Sequence, residues 1–143
     1  MITKVLKIDI NSLQLARNII LSGGAVAIPT ETVYGLGANA YDTGAVENIF
    51  AIKGRPNDNP LIVHVHRGFD ISELVTDIPD YAVKLADAYL PGPLTMVYRS
   101  KGTVSPAVSC GLSTVAIRIP SHEGVQKFLK YVNLPIAAPS ANI

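Results

Sequence analysis

Strand-like and helix-like segments alternate along this chain, and this alternation limits the fold more than any other feature of the sequence. Short apolar, strand-like stretches lie at 25–29, 61–66, 94–100, 114–119 and 134–139. Helix-like periodicity occupies 12–22, a stretch from 42 or 43 to about 53, 80–90 and 123–132. Such alternation is typical of a sheet covered by helices rather than of an all-helical or all-β domain. The sequence therefore predicts a mixed α/β fold.

The composition is typical of one globular domain. Of the 143 residues, 48% are hydrophobic, which is enough for a buried core. Twelve lysines and arginines against eleven acidic residues leave a net charge of +1, so a charge-based function has to be local. The single cysteine, Cys110, excludes an internal disulfide, and because it has no obvious histidine partner we do not expect it to be a nucleophile. The chain has neither a signal-peptide pattern nor about 20 consecutive apolar residues, so we expect a soluble, cytoplasmic protein without membrane contact.

The segment 29–37 concentrates polar side chains directly after a predicted strand. It holds Thr30, Glu31, Thr32 and Tyr34 between glycines and a proline, a density that favours a ligand-binding loop. A relaxed dinucleotide fingerprint also occurs here, but its first glycine lies too far from the strand end for a Rossmann fold. The alternative is a turn-rich loop in which threonine hydroxyls bind backbone amides.

Two cations follow the second predicted helix. Lys53 and Arg55 lie in a loop with Asn59, two prolines and a glycine, and such a pair suits a phosphate chain. No Walker A sequence occurs, so a P-loop NTPase is excluded. The alternative is that both cations interact with the helix C-terminus and stay solvated.

Three further polar side chains interrupt apolar strands. His64 and His66 lie two residues apart, which suggests a metal pair, but no third ligand has a suitable spacing. We therefore expect no protein metal site and instead a hydrogen-bonding histidine in a pocket or at its rim. Arg118 ends a predicted strand, where a charge needs either a salt bridge or a bound anion.

The last residues form another candidate site. Ser140 and Asn142 follow a predicted strand two residues apart, so both can contact one ligand, or they form a simple turn. An apolar strand followed by Pro-Ser-Ala-Asn normally leads into a further element. We therefore expect a single domain over 1–143 that lacks its C-terminal segment.

In order and spacing, several segments together resemble the YrdC-like family of threonylcarbamoyl-adenylate synthases. They are 29–37, 53–59, 91–95, 118–120 and 140–142. Lys-x-Arg at Lys53 and Arg55, combined with Ser-x-Asn at Ser140 and Asn142, is the family's hallmark. The resemblance implies a three-layer fold, in which a twisted sheet of parallel and antiparallel strands, flanked by helices, surrounds a concave electropositive cavity.

The resemblance also implies a reaction. L-threonine, bicarbonate or CO2, and ATP with Mg²⁺ would give threonylcarbamoyl-AMP and pyrophosphate, and a separate transferase complex would use this product to modify tRNA. By the same resemblance, catalysis falls to Lys53, Arg55, Ser140 and Asn142. ATP contacts would come from Lys53, Arg55, Asn59, Thr114 and Asn142, and threonine contacts from Thr32, His64, Arg118 and Ser140.

Two alternatives remain open at this point. The same cations could form an RNA-binding surface for tRNA or double-stranded RNA without catalysis, although the near-zero net charge argues against a broad one. Related carbamoyl-adenylate chemistry occurs in hydrogenase-maturation carbamoyltransferases, which also contain a YrdC-like domain. Those proteins carry additional zinc-type cysteine motifs, which this sequence does not contain.

Overall fold

The computed structural model describes residues 2–142. Within this range, four α-helices and seven strands follow one another. The helices are α1 (Ile10–Leu21), α2 (Thr43–Lys53), α3 (Asp80–Tyr89) and α4 (Glu123–Val132), with a 3-10 turn at Ile71–Glu73. The strands are β1 (Val26–Ile28), β2 (Gly35–Asn39), β3 (Ile62–His64), β4 (Val75–Thr76), β5 (Thr95–Ser100), β6 (Thr114–Arg118) and β7 (Ile136–Ala138).

The strands form one mixed sheet in the order β1-β2-β7-β3-β6-β5-β4. Strands β3 and β6 pair in parallel, whereas the other neighbours pair antiparallel. Helices α2 and α3 contribute to the core on one side of the sheet, and α1 and α4 pack on the other. The predicted three-layer fold with a mixed sheet is thus confirmed. None of the helices between residues 2 and 142 is both long enough and apolar enough to span a membrane.

The two faces of the sheet differ in how they are covered. Val63, Ile117 and Ala137 point into the core under α2 and α3. Because side chains alternate along a strand, His64, Arg118 and Ile136 lie on the other face. Ile136 is fully buried with residues of α1 and α4, but further along this face the sheet is open. On β5, for example, Val97 is 66% exposed.

Residues 35–37, predicted to belong to the polar loop 29–37, are the first part of strand β2. Glycine has low strand propensity, which hides this element in the sequence. Close packing explains the choice of glycine at position 37, because a Cβ there would lie 2.6 Å from Cγ2 of Ile136. The short strand β4 was not predicted either.

A side-chain cap moves one helix start away from the prediction. Helix α1 begins at Ile10 rather than Ser12, because Asp9 and Ser12 form a reciprocal capping box. Helix α4 begins at the predicted position, Glu123. The cap is His122, whose Nδ1 accepts a hydrogen bond from the amide of Val125 at 3.1 Å.

Candidate functional site

The predicted site residues gather at the two ends of the same short strands. Ile62, at the start of β3, lies opposite Ala138, at the end of β7. Lys53 ends α2, and the loop that follows, with Arg55 and Asn59, leads towards this edge. The chain from Ser140 to Asn142 leaves from the same edge. Thr114 begins β6 at the same edge because β6 runs parallel to β3. The topology therefore brings the residues expected to bind ATP to one edge of the sheet.

Three of the four residues expected to bind threonine lie at the opposite end, whereas the fourth, Ser140, follows the end of β7 at the first edge. His64 ends β3 directly opposite Arg118, the last residue of β6. Thr32 reaches the same place from the loop after β1, because its hydroxyl accepts a hydrogen bond from Nη1 of Arg118 at 3.1 Å. From Ile62 to His64 the strand rises about 7 Å, so the two groups are close neighbours.

Arg118 is 7% exposed and every nitrogen of its guanidinium has a partner. Nε donates to the carbonyl of Gly92 at 3.2 Å, Nη1 to Thr32, and Nη2 to Oε1 of Glu31. The salt bridge considered for Arg118 in the sequence is thus present, and its partner is Glu31. The loop after β1 therefore lies across the open face of the sheet and contacts the end of β6.

Glu31 is a residue of the site that the family resemblance did not assign. Its Oε2 accepts hydrogen bonds from the amide of Ser121, at 2.6 Å, and from the Ser121 hydroxyl. Burial raises the pKa of the Glu31 carboxyl, but the Ser121 hydrogen bonds and the charge of Arg118 together lower it below the ordinary 4.5. Glu31 is therefore ionised at neutral pH. The signal in the sequence was one carboxylate in the 29–37 loop and one buried arginine that required a partner.

His64 is buried and uncharged. Its Nδ1 lies 3.0 Å from the carbonyl of Ile62, and since a carbonyl only accepts, the proton is on Nδ1 and Nε2 is an acceptor. Burial, followed by the charge of Arg118, lowers the pKa of His64 to about 4. His64 is therefore a neutral histidine next to a fixed cation, and its ring is hydrogen-bonded to the backbone of Ile62 and Ile136.

His66 lies beyond the end of β3 and serves a different purpose. Its Nδ1 accepts from the amide of Gly68 at 3.1 Å, which places the proton on Nε2, 2.9 Å from Oδ1 of Asn133. These bonds connect the end of β3 to the C-terminus of α4, away from Arg118. In the part of the chain that the structure describes, no three His, Cys, Asp or Glu side chains are grouped to hold a metal ion.

Local hydrogen bonds hold the 29–34 loop in place. The Thr30 hydroxyl accepts from the amides of Thr32, at 3.2 Å, and Val33, at 3.1 Å, as the turn interpretation of this loop predicts. At the other end of the loop, the carbonyl of Tyr34 accepts from the amide of Ala141 at 2.7 Å. The same loop thus contacts both the Arg118 end and the Ser140 edge.

The cationic loop after α2 is braced by its own arginine. Gly54 ends the helix with φ +61°, a left-handed conformation that glycine adopts without strain. Arg55 then donates from Nε to the carbonyl of Asn59 at 3.0 Å and from Nη2 to that of Pro60 at 2.9 Å. Arg55 thereby gives the loop a defined shape, and Lys53 is half-buried beside it.

The two remaining candidates also have local partners. Ser140 donates its hydroxyl proton to Oδ1 of Asn142, which is the turn considered in the sequence, and Ser140 bridges to Gly35 of β2. Cys110 lines a cleft of about 760 Å³ between α2 and the 106–111 segment. Burial and the nearby Asp58 raise the pKa of its thiol, so Cys110 is protonated and a poor nucleophile.

Curated proteins named threonylcarbamoyl-AMP synthase are similar in sequence to this chain. The protein of Pyrococcus abyssi (strain GE5 / Orsay) is 49% identical over 131 residues, which cover 92% of this chain and 38% of that protein. The protein of Bacillus subtilis (strain 168) is 50% identical over 119 residues, which cover 82% of this chain and 34% of that protein. The chain therefore spans little more than a third of the length of these relatives.

Solved structures lead to the same group. P. abyssi Sua5 complexed with L-threonine matches with a TM-score of 0.91 at 47% identity, over 96% of this chain and 41% of that chain. E. coli YciO, at 22% identity, shares the fold with a TM-score of 0.80 over 90% of this chain and 63% of its own. The Sua5_yciO_yrdC family model, described as "Telomere recombination", matches residues 18–143. The predicted resemblance is thus confirmed, and the chain belongs to the Sua5/YciO/YrdC family.

Proposed function

We propose that this chain is the catalytic domain of an L-threonylcarbamoyladenylate synthase. The reaction would convert L-threonine, bicarbonate or CO2, and ATP into threonylcarbamoyl-AMP and pyrophosphate. One observation carries the proposal: a buried arginine, with a hydroxyl and a neutral histidine beside it, lies at one end of β3, and the loop that follows Lys53 and contains Arg55 leads to the other end of the same strand. This arrangement suits an amino acid whose carboxylate is held at Arg118 while the carbamate formed on its nitrogen turns towards the nucleotide.

The threonine end of the site would recognise each polar group of the substrate. Arg118 would bind the carboxylate through the N–H groups that its protein partners do not use. Nε2 of His64, as an acceptor, and the hydroxyl of Thr32 suit the hydroxyl of threonine. Ser140 would approach from the other edge, where the carbamate forms.

The nucleotide end would hold the phosphates. Lys53 and Arg55 would neutralise the triphosphate, with Asn59, Thr114 and Asn142 as neutral hydrogen-bonding groups along the same edge. Mg²⁺ prefers oxygen ligands and commonly binds through substrate phosphates. Since no acidic cluster for a metal occurs among residues 2–142, we expect Mg²⁺ to arrive with ATP and to be held mainly by its phosphates and water.

The chemistry requires positioning rather than a protein nucleophile. A carbamate oxygen would attack the α-phosphorus, an O–P bond would form, and the bond to the β-phosphate oxygen would break as pyrophosphate leaves. The repulsion between two anions is the obstacle, and fixed cations reduce it. The protonated Cys110 is not needed. Because a free carbamate decomposes in water, the 29–34 loop over the open face would also help to exclude solvent.

The RNA-binding alternative is less well supported. This alternative requires Lys53, Arg55 and Arg118 to face the RNA. Arg118, however, is 7% exposed and paired with Glu31, so it does not present its charge to a phosphate backbone. RNA binding that depends on salt and survives saturating ATP would favour this alternative. In the synthase proposal, a separate tRNA threonylcarbamoyl transferase complex would consume the product.

Pyrophosphate release from ATP in bicarbonate buffer tests the proposal. We expect release that depends on both L-threonine and bicarbonate, with threonylcarbamoyl-AMP as the nucleotide product by mass spectrometry. Arg118→Lys is the informative variant, because lysine keeps the charge but loses the forked geometry. Pyrophosphate release at the same rate with and without threonine would refute the assignment.

A further inference from the structure

We propose that Glu31 receives the α-ammonium group of the free amino acid, so that Glu31 and Arg118 together recognise both charges of the zwitterion. The inference rests on the proposed function and adds a substrate contact to it. It assigns a role to a carboxylate that the family resemblance left without one.

Unused hydrogen-bonding capacity at the ion pair supports this assignment. A guanidinium has five N–H groups, and the protein engages one on each nitrogen of Arg118. One N–H therefore remains on each terminal nitrogen, and such a pair matches the two oxygens of a carboxylate. On Glu31, Ser121 occupies Oε2 twice, whereas Oε1 contacts Arg118 once and keeps one acceptor position.

Charge balance leads to the same conclusion. The side chains of Arg118 and Glu31 are 9% and 23% exposed, and together they are neutral. A bound carboxylate alone would leave an excess negative charge in this partly buried site, which is unfavourable. A zwitterion brings its own positive charge next to Glu31, so the site stays neutral. His64, which is uncharged, is a weaker partner for an ammonium than an ionised carboxylate.

Carboxylation would then change the sign of the interaction, because the ammonium and bicarbonate would give the carbamate, one water molecule and one proton that leaves to solvent. Once the nitrogen has become part of a carbamate, it no longer carries the positive charge that Glu31 attracts. The new anionic group is repelled by Glu31 and attracted to the edge that carries Lys53 and Arg55. The same carboxylate would thus hold the free amino acid and favour the orientation of the carbamate towards ATP.

Two ligands separate an ammonium contact from a general effect on the site. L-threonine and 3-hydroxybutanoate, which has hydrogen in place of the α-amino group, are titrated calorimetrically into the unaltered protein, Glu31→Gln and the control Glu47→Gln. Glu47 is an exposed glutamate on α2, on the opposite side of the sheet. We expect Glu31→Gln to weaken threonine binding about tenfold or more and to leave 3-hydroxybutanoate binding equal or tighter. Glu47→Gln should bind both like the unaltered protein.

Each other outcome overturns the inference in a recognisable way. Unchanged threonine affinity in Glu31→Gln removes the ammonium contact. An equal loss for both ligands shows that Glu31 only positions Arg118. If Glu31→Gln does not fold, the unaltered protein decides, because it should bind 3-hydroxybutanoate at least about tenfold more weakly than threonine, and equal binding refutes the contact. An unaltered protein that binds no threonine refutes the proposed function, and the inference with it.

Discussion

The ion pair between Glu31 and Arg118 should contribute measurably to the free energy of unfolding. Removing one partner of a fully buried pair costs about 3–5 kcal/mol. The Glu31 side chain is 23% exposed, so water can partly replace the interactions that its carboxylate makes. We therefore expect Glu31→Gln to lower the free energy of unfolding by about 1–3 kcal/mol. Arg118→Met should cost about 1–2 kcal/mol, because the Glu31 that remains keeps its hydrogen bonds to Ser121.

Urea unfolding of both single variants and the double variant at pH 7 measures the coupling. We expect the double variant to be less destabilised than the sum of the single variants by about 1–2 kcal/mol. Additivity within about 0.5 kcal/mol would refute the interpretation that the pair stabilises the fold. Glu47→Gln, an exposed substitution on α2, is the matched control and should change the free energy by less than about 0.5 kcal/mol.

The same pair predicts a pH dependence. The folded state lowers the pKa of Glu31 below 4.5, so the unfolded state takes up a proton first as the pH falls. Ionised Glu31 therefore contributes fully to the free energy of unfolding above its pKa in the unfolded state. This contribution is lost as the pH falls through its pKa in the folded state. The difference in the free energy of unfolding between the unaltered protein and Glu31→Gln should therefore shrink as the pH falls below 4.5, and a difference that grows on acidification would contradict this linkage.

Three further variants test other parts of the structure. Because the pKa of His64 is about 4 in the folded state, the free energy of unfolding of the unaltered protein should fall by up to about 3 kcal/mol between pH 6.5 and 4. Urea unfolding of His64→Gln should not show this pH dependence, and equal pH dependence in both proteins would contradict the prediction. Gly37→Ala should lower the free energy of unfolding by about 1–3 kcal/mol, because the new Cβ would lie 2.6 Å from Cγ2 of Ile136. Ile136→Ala removes that methyl group, so the double variant should be less destabilised than the sum of the two single variants, and strict additivity would exclude the clash. Lys53→Ala should raise the KM for ATP and lower turnover, with the exposed Lys127→Ala as control, and unchanged kinetics would remove Lys53 from the site.

Patterns within one element predicted much of the fold. Apolar residues at helical spacing indicated α4 correctly at 123–132, and the apolar run before Pro120 indicated β6. Strand β2 was missed because its glycines are selected by contacts with β7, a strand about 100 residues later in the chain. Such tertiary contacts leave little trace in the local sequence.

In the candidate site, too, the sequence predicted what depends on local patterns and missed what depends on tertiary contacts. The need of Arg118 for a salt bridge or an anion follows from its position in an apolar strand, and both possibilities were predicted. The identity of its partner was not, because Glu31 is 87 residues away and meets Arg118 only where the 29–34 loop crosses the sheet. The resemblance to a family supplied residue roles, but not the contact between these two charges.

The parallel pairing of β3 with β6 gives the site its two ends. Parallel strands begin at one edge and end at the other, so His64 and Arg118 meet where both strands end, while the loop from Lys53 and the start of β6 meet where both begin. Strand β7 runs antiparallel to β3 and therefore returns Ser140 to the starting edge. A shift of one residue in this register would turn His64 or Arg118 towards the opposite core and leave a buried, unpaired charge or ring nitrogen. The apolar residues that alternate with them, Val63 and Ile117, favour the correct register because they are buried only when the polar pair faces the site. The packing of the core and the placement of the charged groups thus depend on the same alternation.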